Sequence, residues 1–229
     1  DVYMIVPSGM CPAHYDVRPS DIMAIRKASL IILHGMEPWL DGLIKAAENT
    51  QVKKLLLKGS WNVPEGGIEK IKAIAQALVE ISPQSGDYFR KNAESLQANV
   101  ERLAQELKQA AEDAKVGETN VITMEWQREF VEWLGFHVVA TYPPPERISM
   151  KQASELIAKG KQAGVAMVID NLQSGIDFGA RLAHELGAVH VVLTNFPGAL
   201  PRTKDYLQML SYNANQLLNA KKIYQGAKR

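Results

Sequence analysis

The side chains of this chain best suited to chemistry gather in one early loop. Pro7-Ser8-Gly9-Met10-Cys11-Pro12-Ala13-His14-Tyr15-Asp16 brings a thioether (Met10), a thiol (Cys11), an imidazole (His14) and a carboxylate (Asp16) within seven residues. Sulfur donors favour soft ions, and imidazole suits most transition metals. The same composition also fits a turn closed by local hydrogen bonds. Four later loops follow apolar runs and carry mixed signals of the same kind. Lys58-Gly59-Ser60-Trp61-Asn62-Val63-Pro64 offers Trp61, which can wall a cleft or cover a helix start. Thr123-Met124-Glu125-Trp126 offers a thioether, an indole and a carboxylate that also suits a helix amino terminus. Asp170-Asn171-Leu172-Gln173-Ser174 places an acid directly after the apolar run 165–169, and Thr194-Asn195-Phe196-Pro197-Gly198 offers a hydroxyl and an amide. His34 follows another apolar run, whereas His137, His184 and His190 fall within or beside expected elements and read as structural.

Other chemistries have no motif here. The sequence contains no phosphate-binding glycine loop, no Gly-x-Ser-x-Gly elbow, no paired-cysteine zinc motif and no His-Glu-x-x-His helix. A hydrolase would lack a nucleophile with a visible base. An enzyme of doubly wound fold, with Glu125 or Asp170 as general base, stands as the competing class.

Short apolar runs alternate with helical patterns, and these elements must position the loops. Strands are expected over 3–7, 30–33, 54–57, 120–123, 138–142, 165–169 and 189–193. Helices are expected over 19–27, 37–47, 64–81, 125–134, 149–164, 175–186 and 203–220. Ser20 is expected to cap the first helix, with Asp21 at its positive end. Between 83 and 115 the pattern changes to one uninterrupted helical repeat carried by Tyr88, Phe89, Leu96, Val100, Leu103, Leu107 and Ala111. At 1.5 Å per residue that helix would be about 45 Å long, far beyond the usual globular length. Strand–helix repetition implies parallel sheets covered by helices on both faces. The expected fold is α/β, with two lobes of mostly parallel sheet joined by one long helix: 1–82, 83–115 and 116–229. Ligands of open parallel sheets bind beyond the carboxyl ends of strands, so the loops after strands are the places to look.

Composition bounds the class. The chain has 229 residues, enough for one large or two small cores. A net charge of +1 gives no global pull towards nucleic acid, and none is expected as a partner. No apolar run approaches the roughly 20 residues a membrane span needs. Cys11 is the only cysteine, so no intramolecular disulfide can form. The chain opens on a strand-like segment with no signal peptide before it, as a processed exported protein or a trimmed fragment would.

His14-Tyr15-Asp16-Val17-Arg18-Pro19-Ser20-Asp21-Ile22 resembles a segment of the zinc/manganese-binding receptors of ABC importers, in which a strand ends in Pro-His-x-Tyr-Glu-Pro-x-Pro-Ser-Asp. Lys27-Ala28-Ser29-Leu30-Ile31-Ile32 and Gly35-Met36-Glu37-Pro38-Trp39-Leu40 are similar to the family's next run. Ser60-Trp61-Asn62-Val63-Pro64 resembles its second ligand loop, 83–115 its connecting helix, and Tyr206-Leu207-Gln208-Met209-Leu210-Ser211-Tyr212-Asn213 its last helix. The resemblance covers essentially the whole chain. The family's first strand and helix have no counterpart, so a truncated or unusual amino-terminal lobe is expected.

This resemblance implies an extracytoplasmic or periplasmic solute-binding receptor, monomeric, docking to an ABC permease, with any lipid anchor in front of Asp1. It implies capture of a metal ion in an interlobe cleft, not catalysis. The ligand positions depart from the family's. Its first histidine falls on Ala13, with His14 next; its second falls on Gly59; its third falls near Met124, before Glu125; its last acid falls near Thr194 or Asn195. Asp170 keeps a carboxylate where the family often has one. Two cargo readings follow. In one, a transition metal unusual for the family is held by Cys11, His14, Met124, Glu125 and Asp170. In the other, a metal chelate or small organic solute lies against Trp61, Trp126 and Asn195. Met10, His34 and Thr194 complete the expected lining. A receptor-like module without ligand binding is the third possibility.

Overall fold

The structure, a computed structural model, describes residues 1–227. By internal contacts the chain divides into Asp1–Val100 and Glu101–Arg229, and the division falls inside one helix. The last two residues of the expected carboxy-terminal lobe lie outside the described residues.

In the first unit, β1 (Leu30–Leu33) and β2 (Lys53–Leu56) pair in parallel, with Leu30 opposite Lys53 and Leu33 opposite Leu56. Helices α1 (Pro19–Lys27) and α2 (Leu40–Ala46) bury Ile25, Leu40, Leu43 and Ile44 against Ile31. α1 starts at Pro19, before the expected Ser20 cap. A proline at the first helical position loses no hydrogen bond, and the Asp21 carboxylate accepts from the Arg18 N–H at 2.8 Å. The expected strand over 3–7 is absent. Its residues favour extended backbone, but they join neither open edge of the β1–β2 pair. Instead, the Tyr3 hydroxyl donates to Asp21 and Ile5 packs on the α1–α2 cluster. α3 (Pro64–Ile81) occupies its expected span. The long pattern forms a 3-10 turn (Pro83–Ser85) and α4 (Gly86–Asp113).

The second unit holds β3 (Asn120–Met124), β4 (His137–Tyr142), β5 (Met167–Asn171) and β6 (Val189–Leu193), all parallel, in the order β4-β3-β5-β6. Every residue of β5 is buried, as the central strands of a parallel sheet must be. α5 (Arg128–Leu134), α6 (Met150–Ala163), α7 (Asp177–Leu186) and α8 (Tyr206–Ala227) alternate with or follow the strands. Ser149 and Gln152 close a capping box on α6. Lys221 on α8 donates to the carbonyls of Ala114 and Lys115, satisfying groups just past the end of α4.

The expected α/β class with parallel sheets and a long helix is borne out. Most boundaries moved by a few residues, and two of the shifts bear on the site. β5 begins later than expected and runs through Asp170 and Asn171, so Asp170 is a strand residue, not a loop residue. The last helix starts at Tyr206 because Thr203, fully buried, closes a turn with the Leu200 N–H and carbonyl. The strand order reverses between β3 and β5: the chain leaves β3 towards β4 and then crosses back. In open parallel sheets the crevice beyond that switch point is the ligand-binding place.

Candidate functional site

In the first unit the early loop is pinned on both sides. Pro12–His14 forms one 3-10 turn, with the His14 N–H donating to the Cys11 carbonyl at 3.1 Å. The Trp39 indole N–H donates to the Pro12 carbonyl at 2.8 Å. The buried Tyr15 hydroxyl donates to Asp21 at 2.8 Å; burial first, then the Asp21 carboxylate, pushes its pKa up and keeps it protonated. Between these anchors Cys11 is half-buried, and Met10 and His14 are exposed. Beyond the strand ends of the same unit, the rings of His34 and Trp61 lie 4.2 Å apart. His34 Nδ1 is 3.5 Å from Glu37, which also accepts from the backbone N–H groups of His34 and Met36. Burial holds the His34 pKa below its ordinary value, with Glu37 opposing.

In the second unit Met124 ends β3 with its side chain fully buried, and its sulfur accepts from the Trp126 N–H at 3.2 Å. Glu125 pairs with Arg147 at 2.8 Å, and Trp126 is half exposed. Asp170 is fully buried. Tyr142 Oη donates to it at 2.5 Å and His190 Nε2 lies 2.7 Å away, so both carboxylate oxygens are engaged. Burial and the Asp170 charge push the Tyr142 pKa far up, so the hydroxyl stays a donor.

Above Asp170, at the switch point, lies a network that sequence reasoning missed. Gln127 follows β3 and is fully buried. Its Nε2 donates to Asn171 Oδ1 at 3.2 Å and to Asn195 Oδ1 at 2.6 Å. Asn171 donates to Ser174, Gln173 donates to Thr194 Oγ1, and the Asn195 N–H donates to Gln173. Asn213 on α8 holds the backbone N–H and carbonyl of the fully buried Thr194. In the segment after Ile169, the amides of Asn171 and Gln173 carry the same positional signal as the acid of Asp170.

The geometry thus separates the expected residues. Met10, Cys11 and His14 share one displayed loop, and the His34 ring lies tilted against Trp61. Glu125 and Trp126 reach the surface. Met124 and Asp170 are held inside, and Thr194 and Asn195 belong to the amide network. Among the described residues, no group of three or more His, Cys, Asp and Glu side chains is placed to hold a metal ion. Two hollows of about 430 Å³ flank β4, lined by residues such as Val139 and Lys159, and none of the expected site residues lines them.

A family model described as "ZnuA: Zinc-uptake complex component A periplasmic" matches residues 1–220. The chain is 26% identical over 151 residues to the manganese ABC transporter substrate-binding lipoprotein PsaA of Streptococcus pneumoniae, covering 55% of this chain and 49% of that protein. The chain therefore spans about half the length of that curated relative. In fold it is similar to the Mn-bound periplasmic metal binding protein of Candidatus Liberibacter asiaticus, with TM-score 0.79, 17% identity, and 95% and 90% of the two chains covered. A crystal structure of ZnuA gives TM-score 0.78 and 23% identity over 96% and 90%. With a match over nearly its whole length, the chain belongs to the periplasmic zinc-uptake component A family.

Proposed function

We propose that this protein is the extracytoplasmic solute-binding component of an ABC importer, capturing a transition metal ion as cargo and passing it to a membrane permease. The observation that carries this reading is family membership over residues 1–220. A relative named as a manganese importer lipoprotein supports it. The action is capture and release, not turnover. Among the described residues no helix is long and apolar enough to cross a membrane. The donors that solvent reaches are His14, with the half-buried Cys11 and neighbouring Met10, in the first unit, and Glu125 in the second. Met124 and Asp170 would meet cargo only by giving up the bonds that hold them. A thiol beside an imidazole favours a softer ion than an all-oxygen set does.

The test is metal content after purification without chelators, followed by thermal shift across manganese, zinc and softer divalent ions. At a hundredfold excess over Kd, binding stabilises by about 2.7 kcal/mol, a rise of roughly 5–10 °C for a chain of this size. The Cys11→Ala/His14→Ala double variant should lose most of that rise. If no metal shifts the melting of the wild-type protein, the receptor does not carry metal.

A further inference from the structure

We propose that the second unit recognises its cargo through hydrogen bonds from metal-coordinated O–H groups, received by the Gln127–Asn171–Asn195 amide cluster at the switch point. This rests on the metal-cargo reading above and names the form in which the metal arrives.

Three observations converge. The strand order places the ligand crevice of this sheet beyond the carboxyl ends of β3 and β5. Gln127 follows the first of these strands and Asn171 ends the second. The side chains gathered there are neutral: Gln127, Asn171, Gln173, Thr194 and Asn195. A bare transition ion is held by thiolate, imidazole or carboxylate, and this cluster has none. The carboxylates beside it in sequence are engaged elsewhere, Asp170 with Tyr142 and His190, and Glu125 with Arg147.

The third observation is an imbalance. Both N–H groups of the Gln127 amide are used, on Asn171 and Asn195, which fixes which way the amide faces. Its Oε1 is buried and, among the described residues, accepts from nothing. A buried acceptor without a donor costs about 1–3 kcal/mol. The group that repairs it must bring a proton. An O–H bound to a metal ion is polarised and more acidic than a free one, so it is a strong donor to an amide oxygen. Coordinated water and the hydroxyl of a hydroxycarboxylate chelator share this chemistry.

Calorimetric titration separates the sources and tests the idea. Wild-type protein is titrated with manganese or zinc chloride alone, with the same metal plus one equivalent of citrate, and with citrate alone. Gln127→Met, which keeps the bulk and removes the acceptor, should weaken binding of the metal species about tenfold, the worth of one well-placed hydrogen bond. Asn195→Leu removes the contact that orients Gln127 and should act the same way; it decides the matter if Gln127→Met does not fold by circular dichroism. A tenfold loss with metal alone assigns coordinated water; a loss confined to the citrate complex assigns the chelator hydroxyl. If metal binds and is lost in Cys11→Ala/His14→Ala, while both amide variants bind within about twofold of wild type, the outer-shell proposal is wrong and the metal receptor stands. Citrate binding without metal, or no binding of any metal species, overturns both.

Discussion

Replacing Gly179 by alanine tests the buried carboxylate of the second unit. Gly179 lies in the first turn of α7, over β5. A Cβ built there would come within 2.6 Å of Asp170 Oδ1 and closer still to Oδ2 and Cγ. The obstacle is a fully buried group fixed by Tyr142 and His190, so it has no rotamer to retreat into. Either α7 lifts from the sheet or Asp170 turns away and leaves an uncompensated buried charge. Breaking a buried charged network costs about 3–5 kcal/mol, and the better helix propensity of alanine returns at most about 1 kcal/mol. The net loss is about 2–4 kcal/mol, or roughly 5–15 °C in Tm for a chain of this length. Gly160 on α6 is the control. Its Cβ would meet the Leu186 methyl carbons at 2.6 and 2.9 Å and Ile122 Cδ1 at 3.1 Å. The end of a leucine can rotate, so Gly160→Ala should cost no more than about 2 kcal/mol. Urea unfolding followed by circular dichroism measures both. The Asp170 background supplies the cycle: the Gly179→Ala increment should shrink once Asp170 is alanine. Equal costs at 179 and 160, or an unchanged increment in the Asp170→Ala background, would refute the steric account.

Further outcomes follow from the first unit. Lys70 is a buried amine that donates to the carbonyls of Lys58 at 3.0 Å and Ser60 at 2.9 Å. Lys70→Met should destabilise by about 2–4 kcal/mol in chemical unfolding, because the β2–α3 loop loses its charged donor. Burial depresses the pKa of His34 from its ordinary 6.5. Its neutral form is therefore favoured by folding, and that contribution is complete above pH 6.5 and lost as pH falls from there through the lower folded pKa. The unfolding midpoint should drop over that window, and drop less in His34→Gln.

Much of the fold was legible because local pattern decided it. The expected spans 30–33, 64–81 and 189–193 coincide with β1, α3 and β6. Each is a periodic or apolar run bounded by turn-forming or capping residues. The span 3–7 carries an equally good strand signal, yet no strand forms there, because its side chains are taken up by the helices: Tyr3 donates to Asp21 and Ile5 packs on the α1–α2 cluster. β5 shows the converse. Its apolar run stops at Ile169, but the strand continues through Asp170 and Asn171 because partners remote in sequence satisfy both side chains inside the sheet.

The site was less legible for the same reason. Residue type marks what a side chain can donate or accept; distant partners decide whether it is free to do so. Asp170 looked like the strongest retained ligand, an acid near a strand's carboxyl end. Tyr142, 28 positions earlier, and His190, 20 positions later, occupy both its oxygens. Gln127 has no feature in the sequence that distinguishes it from the chain's other glutamines. It becomes informative only when Asn195, 68 positions away, takes its N–H and leaves its carbonyl oxygen facing a need. On the outer-shell proposal, cargo selection in this scaffold depends on which strand-end polar groups the neighbouring strands leave unsatisfied. On that proposal a change of specificity needs no new ligand: the Asp170 carboxylate is engaged internally, and the buried, unmet acceptor of Gln127 takes the donor instead.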